Sequence, residues 1–176
     1  MAEIIPFDKL TGHFLVKEIK AGKVFVYPTD TIYGLGCDAT NEESVERIKK
    51  IKKRSNKPFS IIAPSKEWIL DNYEVNKSYI QNLPGPYTLI LKKKNSTETT
   101  GIRIPSHPLT PLIQKSNVPF ITTSVNISGE KPITNIREIP LKIKRNIDFI
   151  INAGILDNPP SILIDLTGSI PKILKR

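Results

Sequence analysis

The sequence predicts an α/β fold on a mixed sheet, and three observations predict it. Early in the chain, short apolar runs rich in β-branched and aromatic residues alternate with helix-like stretches. Late in the chain strands dominate, which argues against a purely parallel sheet. Apolar residues make up 39% of 176 positions, enough for one ordinary core and too many for a disordered chain. That length makes one domain, 1–176, the expected organisation.

Taken in order, residues 8–20 read as a short helix and Lys23–Tyr27 (KVFVY) as a strand closed by Pro28. The stretch TDTIYGLGC reads as a glycine-containing loop. The strongest helix spans about 41–54, with Thr40 and Glu43 as a capping box and Val45, Ile48 and Ile51 on its buried face. Pro58 is expected to stop it. Phe59–Ala63 is a strand, 65–70 and 75–83 are helical, and Pro84-Gly85-Pro86 is a turn before the strand Tyr87–Leu91. Residues 92–100 read as a polar, mobile loop, 101–104 as a strand, and 107–116 as a helix with Pro108 in its first turn. A strand at 118–123 leads to the loop SVNISGEKP, a small helix near 134–139, and strands at 147–151, 161–166 and 170–174.

Composition excludes several classes of function. The single cysteine, Cys37, excludes a disulfide framework and a multi-cysteine zinc site. With only His13 and His107 there is no histidine-rich metal site, and capping or surface roles are expected for both. No apolar run reaches the length of a membrane span, and the opening MAEIIPFDKL lacks the pattern of a signal peptide, so the cytoplasm is the expected compartment. The net charge is +9, from 20 lysines and 6 arginines against 17 acids. A uniformly basic surface and a dedicated polyanion site explain it equally well.

Four clusters could carry chemistry. Residues 49–57 hold six cations, and Lys52, Arg54 and Lys57 sit at a helix exit, where they suit phosphate as a planar fork and two point charges. Thr29, Asp30 and Thr31 follow a strand, where α/β ligands commonly bind. The following GLG is neither a dinucleotide fingerprint nor a Walker loop. Arg103, flanked by Ile102 and Ile104, is costly to bury and wants an anion. Residues 122–129 (TTSVNISG) offer hydroxyls and an amide after a buried strand. Taken singly, each cluster also fits a solvated face or an ordinary turn.

In their order, PTDTIYGLGCDA, IKKRSNKP, PGPYTLIL, GIRIPSHP and TTSVNISG resemble the YrdC/Sua5 family, as do PSILIDLT and PKILKR after them. The resemblance runs from about Lys23 to the end, and its members are L-threonylcarbamoyladenylate synthases in a short, single-domain form here. It implies a YrdC/RibB-like fold, a twisted mixed sheet flanked by helices around a basic cavity. It also implies a reaction of L-threonine, bicarbonate or CO2, and ATP that yields threonylcarbamoyl-AMP and pyrophosphate. The product would pass to the machinery that modifies tRNA at N6 of an adenosine beside the anticodon. By the same resemblance Lys52, Arg54, Ser124 and Asn126 are the catalytic set. Thr31, Arg103, Thr122 and Ser161 would bind threonine. Arg54, Lys57, Ser124, Lys175 and Arg176 would bind ATP, with Mg2+ arriving on the triphosphate and no protein metal site. Val125 stands where the family usually has alanine, and would crowd the pocket. The alternatives are an RNA- or ribosome-binding module that uses the basic cavity without chemistry, against which the lack of interleaved surface aromatics counts, and a carbamoyl-adenylate enzyme with another acceptor.

Overall fold

A computed structural model describes residues 2–54 and 58–175. Its eleven strands are β1 (Glu3–Pro6), β2 (Phe25–Tyr27), β3 (Gly34–Gly36), β4 (Ser60–Ile62), β5 (Tyr73–Glu74), β6 (Tyr87–Lys93), β7 (Thr99–Arg103), β8 (Phe120–Ser124), β9 (Phe149–Asn152), β10 (Ile162–Asp165) and β11 (Lys172–Leu174). The helices are α1 (Gly12–Lys20), α2 (Glu42–Lys52), α3 (Lys66–Asn72), α4 (Lys77–Ile80), α5 (Thr110–Gln114) and α6 (Leu141–Lys144). The strands form one mixed sheet in the order β1-β9-β2-β3-β8-β4-β7-β6-β10-β11, with β5 on β6. Pairs β1–β9, β2–β9, β4–β7 and β6–β10 are parallel, and the rest antiparallel.

Alternation along the strands sorts the core onto two faces. Val24, Val26, Ile61 and Ile121 face one way and are covered by Ile48 and Ile51 of α2. Phe25, Tyr27, Ile62 and Phe120 face the other way and are covered by Leu15 and Ile19 of α1, by Leu109 at the N-cap of α5 and by Ile113 within it. Phe25 stacks on Phe149 at 4.4 Å, which seals that second layer.

Several elements differ from the sequence reading, each for a local reason. β1 was not foreseen; it is a parallel partner that only β9 creates. The GLG stretch is strand β3, not a turn. A Cβ on Gly36 would sit 2.2 Å from the Ile121 carbonyl oxygen, and one on Gly34 would sit 2.7 Å from Tyr27 Cζ. Glycine is needed there for close approach, not for a left-handed backbone. Residues 92–93 and 99–100, expected in a mobile loop, extend the β6–β7 hairpin, where Lys92 pairs with Thr99. Asn41, not Thr40, caps α2 by accepting from Ser44 N, while Thr40 donates its hydroxyl to Asp38. The helix ends before Pro58 can act. Lys53 takes a left-handed conformation (φ 50°), and the amides of Lys53 and Arg54 close on Lys50 and Lys49. Downstream, the helices are shorter than expected, the 134–139 stretch holds only a 3-10 turn at Ile136–Glu138, and α6 and the two-residue β5 appear.

Candidate active site

A cavity of about 280 Å3 opens on the same sheet face as the Tyr27–Phe120 layer. Register explains its lining. Ser60 lies two residues before buried Ile62, and Thr122 and Ser124 two and four after Phe120, so polar side chains continue the face on which those apolar ones begin. Thr88 of β6, Arg103 of β7, Ser161 and Leu163 at β10, and Thr29 and Thr31 of the loop before β3 complete the wall, with Arg54 leaving α2 beside them.

Arg103 is buried. It donates from Nη2 to Asp30 Oδ1 at 2.9 Å and, more weakly, to Thr31 Oγ1 at 3.4 Å. Burial pulls the guanidinium below its ordinary pKa, and the Asp30 carboxylate opposes that pull. Asp30 is itself held by the Ser106 amide at 2.9 Å. Arg103 Nε is buried with no hydrogen-bond partner among the described residues. The Arg103 side chain also lines the cavity, where a guanidinium suits an anionic ligand group.

Lys52 does not reach into the cavity. Its ammonium turns inward and donates to Ser124 O at 2.7 Å, Asn126 O at 2.7 Å, and Asn126 Oδ1. Three donors meet three acceptors, so the charge is fully bonded and the loop after β8 is stapled to α2. Burial first, then neighbouring Arg54, push the Lys52 pKa down to about 8, with Glu130 opposing. Ser124 donates its hydroxyl to Asn126 Oδ1 at 2.7 Å, and Asn126 donates on to Glu130 O at 2.5 Å. Arg54 donates to Pro58 O at 2.7 Å, and its guanidinium lies 5.0 Å from the Phe59 ring centroid.

Of the sequence candidates, Thr31, Arg54, Arg103, Thr122, Ser124 and Ser161 line this one cavity. Lys52 and Asn126 stand behind its wall as supports rather than as part of it. Lys57 and Arg176 lie outside the described residues, and Lys175 is exposed past β11, away from the lining. Val125 does not crowd the pocket; it is buried in the core on the α2 side of the sheet. Ser60 and Thr88 were missed because both sit in strands read only as apolar runs. Their signal was a single small hydroxyl residue within FSIIA and within YTLIL. Among the described lining residues Arg54 and Arg103 are the charged ones, so hydroxyls outnumber charges. Lys49, Lys50 and Lys53 instead flank a separate surface hollow with Glu46 and Arg54. Cys37 is buried with its thiol pushed up to about 12, by burial chiefly, and His107 caps the Leu109 amide. Among the described residues no group of three or more His, Cys, Asp or Glu could hold a metal ion, and no helix is long and apolar enough to cross a membrane.

Comparison with known proteins places this cavity in context. A "putative threonylcarbamoyl-AMP synthase" of Methanocaldococcus jannaschii is 41% identical over 152 residues, covering 80% of this chain and 72% of its own. A threonylcarbamoyl-AMP synthase of Blochmanniella floridana is 32% identical over 185 residues, covering 93% and 96%. Among solved structures, Escherichia coli YciO superposes with a TM-score of 0.85 at 26% identity, over 100% of this chain and 95% of that one. P. abyssi Sua5 complexed with L-threonine gives 0.84 at 27% identity, over 99% of this chain, which spans 57% of that longer protein. The Sua5/YciO/YrdC family model, described as "Telomere recombination", matches residues 17–176. Since that match takes in every strand of the cavity wall, the chain belongs to the Sua5/YciO/YrdC family.

Proposed function

We propose that this chain is a threonylcarbamoyl-AMP synthase acting in the cavity described above. The observation that carries the reading is Arg103, a buried guanidinium with one N–H unspent, facing a hydroxyl-lined hollow in a chain whose relatives bear that name. The volume, about 280 Å3, is near the lower end for a small-molecule site and suits an amino acid with part of a nucleotide.

In this reading the threonine carboxylate lies on Arg103, and Thr31, Thr122 and Ser161 complete the threonine pocket. The amine adds to CO2 with loss of a proton, or to bicarbonate with loss of water, and the carbamate oxygen then displaces pyrophosphate from the ATP α-phosphorus. The protein supplies position and charge rather than a covalent nucleophile. Arg54, in the cavity lining, takes the phosphates. Lys52 holds Ser124 and Asn126 in place through its bonds to the loop after β8.

Magnesium fits without a carboxylate cage. Ser124 spends its proton on Asn126, so its oxygen presents only lone pairs, a suitable outer partner for a metal or a ribose hydroxyl. Magnesium, arriving with ATP, would neutralise phosphate charge. The product would go on to a tRNA threonylcarbamoyl-transfer system, and the cytoplasm is the compartment proposed for the reaction.

The deciding experiment is pyrophosphate release by purified protein with ATP and Mg2+, with threonine and bicarbonate omitted in turn. Release that needs both supports the reading. Release without threonine, or none with everything present, overturns it.

A further inference from the structure

Hydrogen-bond partners give two of the hydroxyls that line the cavity, those of Thr122 and Thr31, a direction. Tyr27 is fully buried, and its phenol meets Thr122 Oγ1 at 2.5 Å as the donor. A phenol is far more acidic than an aliphatic alcohol, so the shared proton is the phenolic one. Burial raises the pKa of Tyr27 above its ordinary value, so that proton stays in place across the working pH range. Thr122 is therefore an acceptor toward Tyr27. Its own proton has no acceptor among the described residues, and its side chain lines the cavity. Arg103 Nε is in the same condition.

Thr31 has the opposite sense. The Thr29 hydroxyl donates to Ile32 O at 2.7 Å. The 3.0 Å contact between the Thr29 and Thr31 oxygens must then use the Thr31 proton. Thr31 Oγ1 also accepts from Arg103 Nη2. What it has left for the cavity is one lone pair.

We infer that Tyr27 is a positioning residue for the amino acid. By donating to Thr122 it turns the Thr122 proton into the cavity, so Thr122 and Arg103 take the carboxylate while the amine lies toward Thr31. The inference rests on the synthase reading for the identity of the substrate. The surroundings hold Tyr27 to this task. Its ring packs edge-on to Phe25 at 5.9 Å and Phe120 at 5.5 Å, and Gly34 leaves room for it where a Cβ would come 2.7 Å from Cζ. Tyr27→Phe keeps that packing and deletes only the directing proton.

The test is calorimetric titration with L-threonine, alongside steady-state pyrophosphate release, for wild type, Tyr27→Phe, Thr122→Val, Thr122→Ser and the Tyr27→Phe/Thr122→Val double variant. Tyr27→Phe should weaken threonine by about threefold to tenfold, the scale of one neutral hydrogen bond. The loss should fall on KM for threonine rather than on kcat. Thr122→Val should weaken threonine more, and Thr122→Ser, which keeps the hydroxyl, should stay within about threefold of wild type. The double variant should be no worse than Thr122→Val alone, because Tyr27 acts only through Thr122. Unchanged threonine affinity in Tyr27→Phe, losses that multiply in the double variant, or an equal rise in KM for ATP overturns the inference while wild type still binds threonine. A wild type that gives no heat with threonine overturns the synthase reading, and this inference with it.

Discussion

Arg103 is bonded to one anion and short of another. Asp30 satisfies Nη2 at 2.9 Å, and both side chains are buried. Arg103→Ala therefore does two things. On the proposed function it removes a charge-assisted contact to the threonine carboxylate, about 1.5–3 kcal/mol, or roughly ten- to a hundredfold in affinity. It also strands the Asp30 carboxylate, at a cost of about 3–5 kcal/mol in stability. The paired change Asp30→Asn with Arg103→Gln should recover most of the stability, read by denaturant melts, and none of the affinity, read by calorimetry. Recovery of both would mean the guanidinium charge is not what threonine reads. Lys52 makes a pH prediction. Its folded pKa, near 8, lies below lysine's ordinary 10.5. Below about 8 the group is charged in both states. Between the two values the unfolded chain holds a proton the folded one lacks, so stability from this group rises with pH. Lys52→Met should remove that rise from a series of thermal melts, and a parallel slope in both proteins would refute the assignment. Arg103 was legible because an arginine between two isoleucines has few homes. The bonds of Lys52 to the loop after β8 were not legible, since charge count alone cannot tell a cation that faces a ligand from one that holds a loop.

Element by element, the glycines of β3 carry more consequence than the loop reading gave them. Gly36 meets a backbone oxygen, and backbone cannot swing aside. Gly36→Ala should cost about 3 kcal/mol or more and lower the melting temperature accordingly. Gly34 meets the far end of a side chain, Tyr27. Gly34→Ala should be tolerated better for stability and felt more in threonine KM, because it pushes on the ring behind Thr122. At the start of α2, Asn41→Ala should cost about 1 kcal/mol through loss of the cap to Ser44 N. The helices and longer strands were legible from apolar spacing. The Thr40/Glu43 box fits its pattern one residue early; only geometry shows that Asp38 claims Thr40. Likewise β1 and β5 have no signal of their own, because each is a strand only by virtue of a neighbour.

For the whole molecule, what matters is where the +9 lies. Lys52 is the one buried lysine among the described residues, and it is turned away from the cavity. Among the described residues the charges that line the cavity are two guanidiniums, one of them buried beside Asp30. The sequence could count cations but not sort them, because sorting depends on strand register: Thr88, Arg103 and Thr122 share a face only once β6, β7, β4 and β8 are laid side by side. That sorting makes a prediction about salt. A buried pair is poorly screened, so threonine affinity should change by less than ~3-fold between about 0.05 and 0.5 M salt. RNA held by exposed lysines such as Lys49, Lys50 and Lys53 would instead be lost steeply over the same range, in proportion to the phosphates neutralised. Calorimetry with threonine and a filter-binding series with RNA, run at matched salt, separates a carboxylate receptor from a diffuse cationic surface. Threonine binding that falls as steeply as RNA binding would mean the amino acid is held by surface charge, and Arg103 would lose its role.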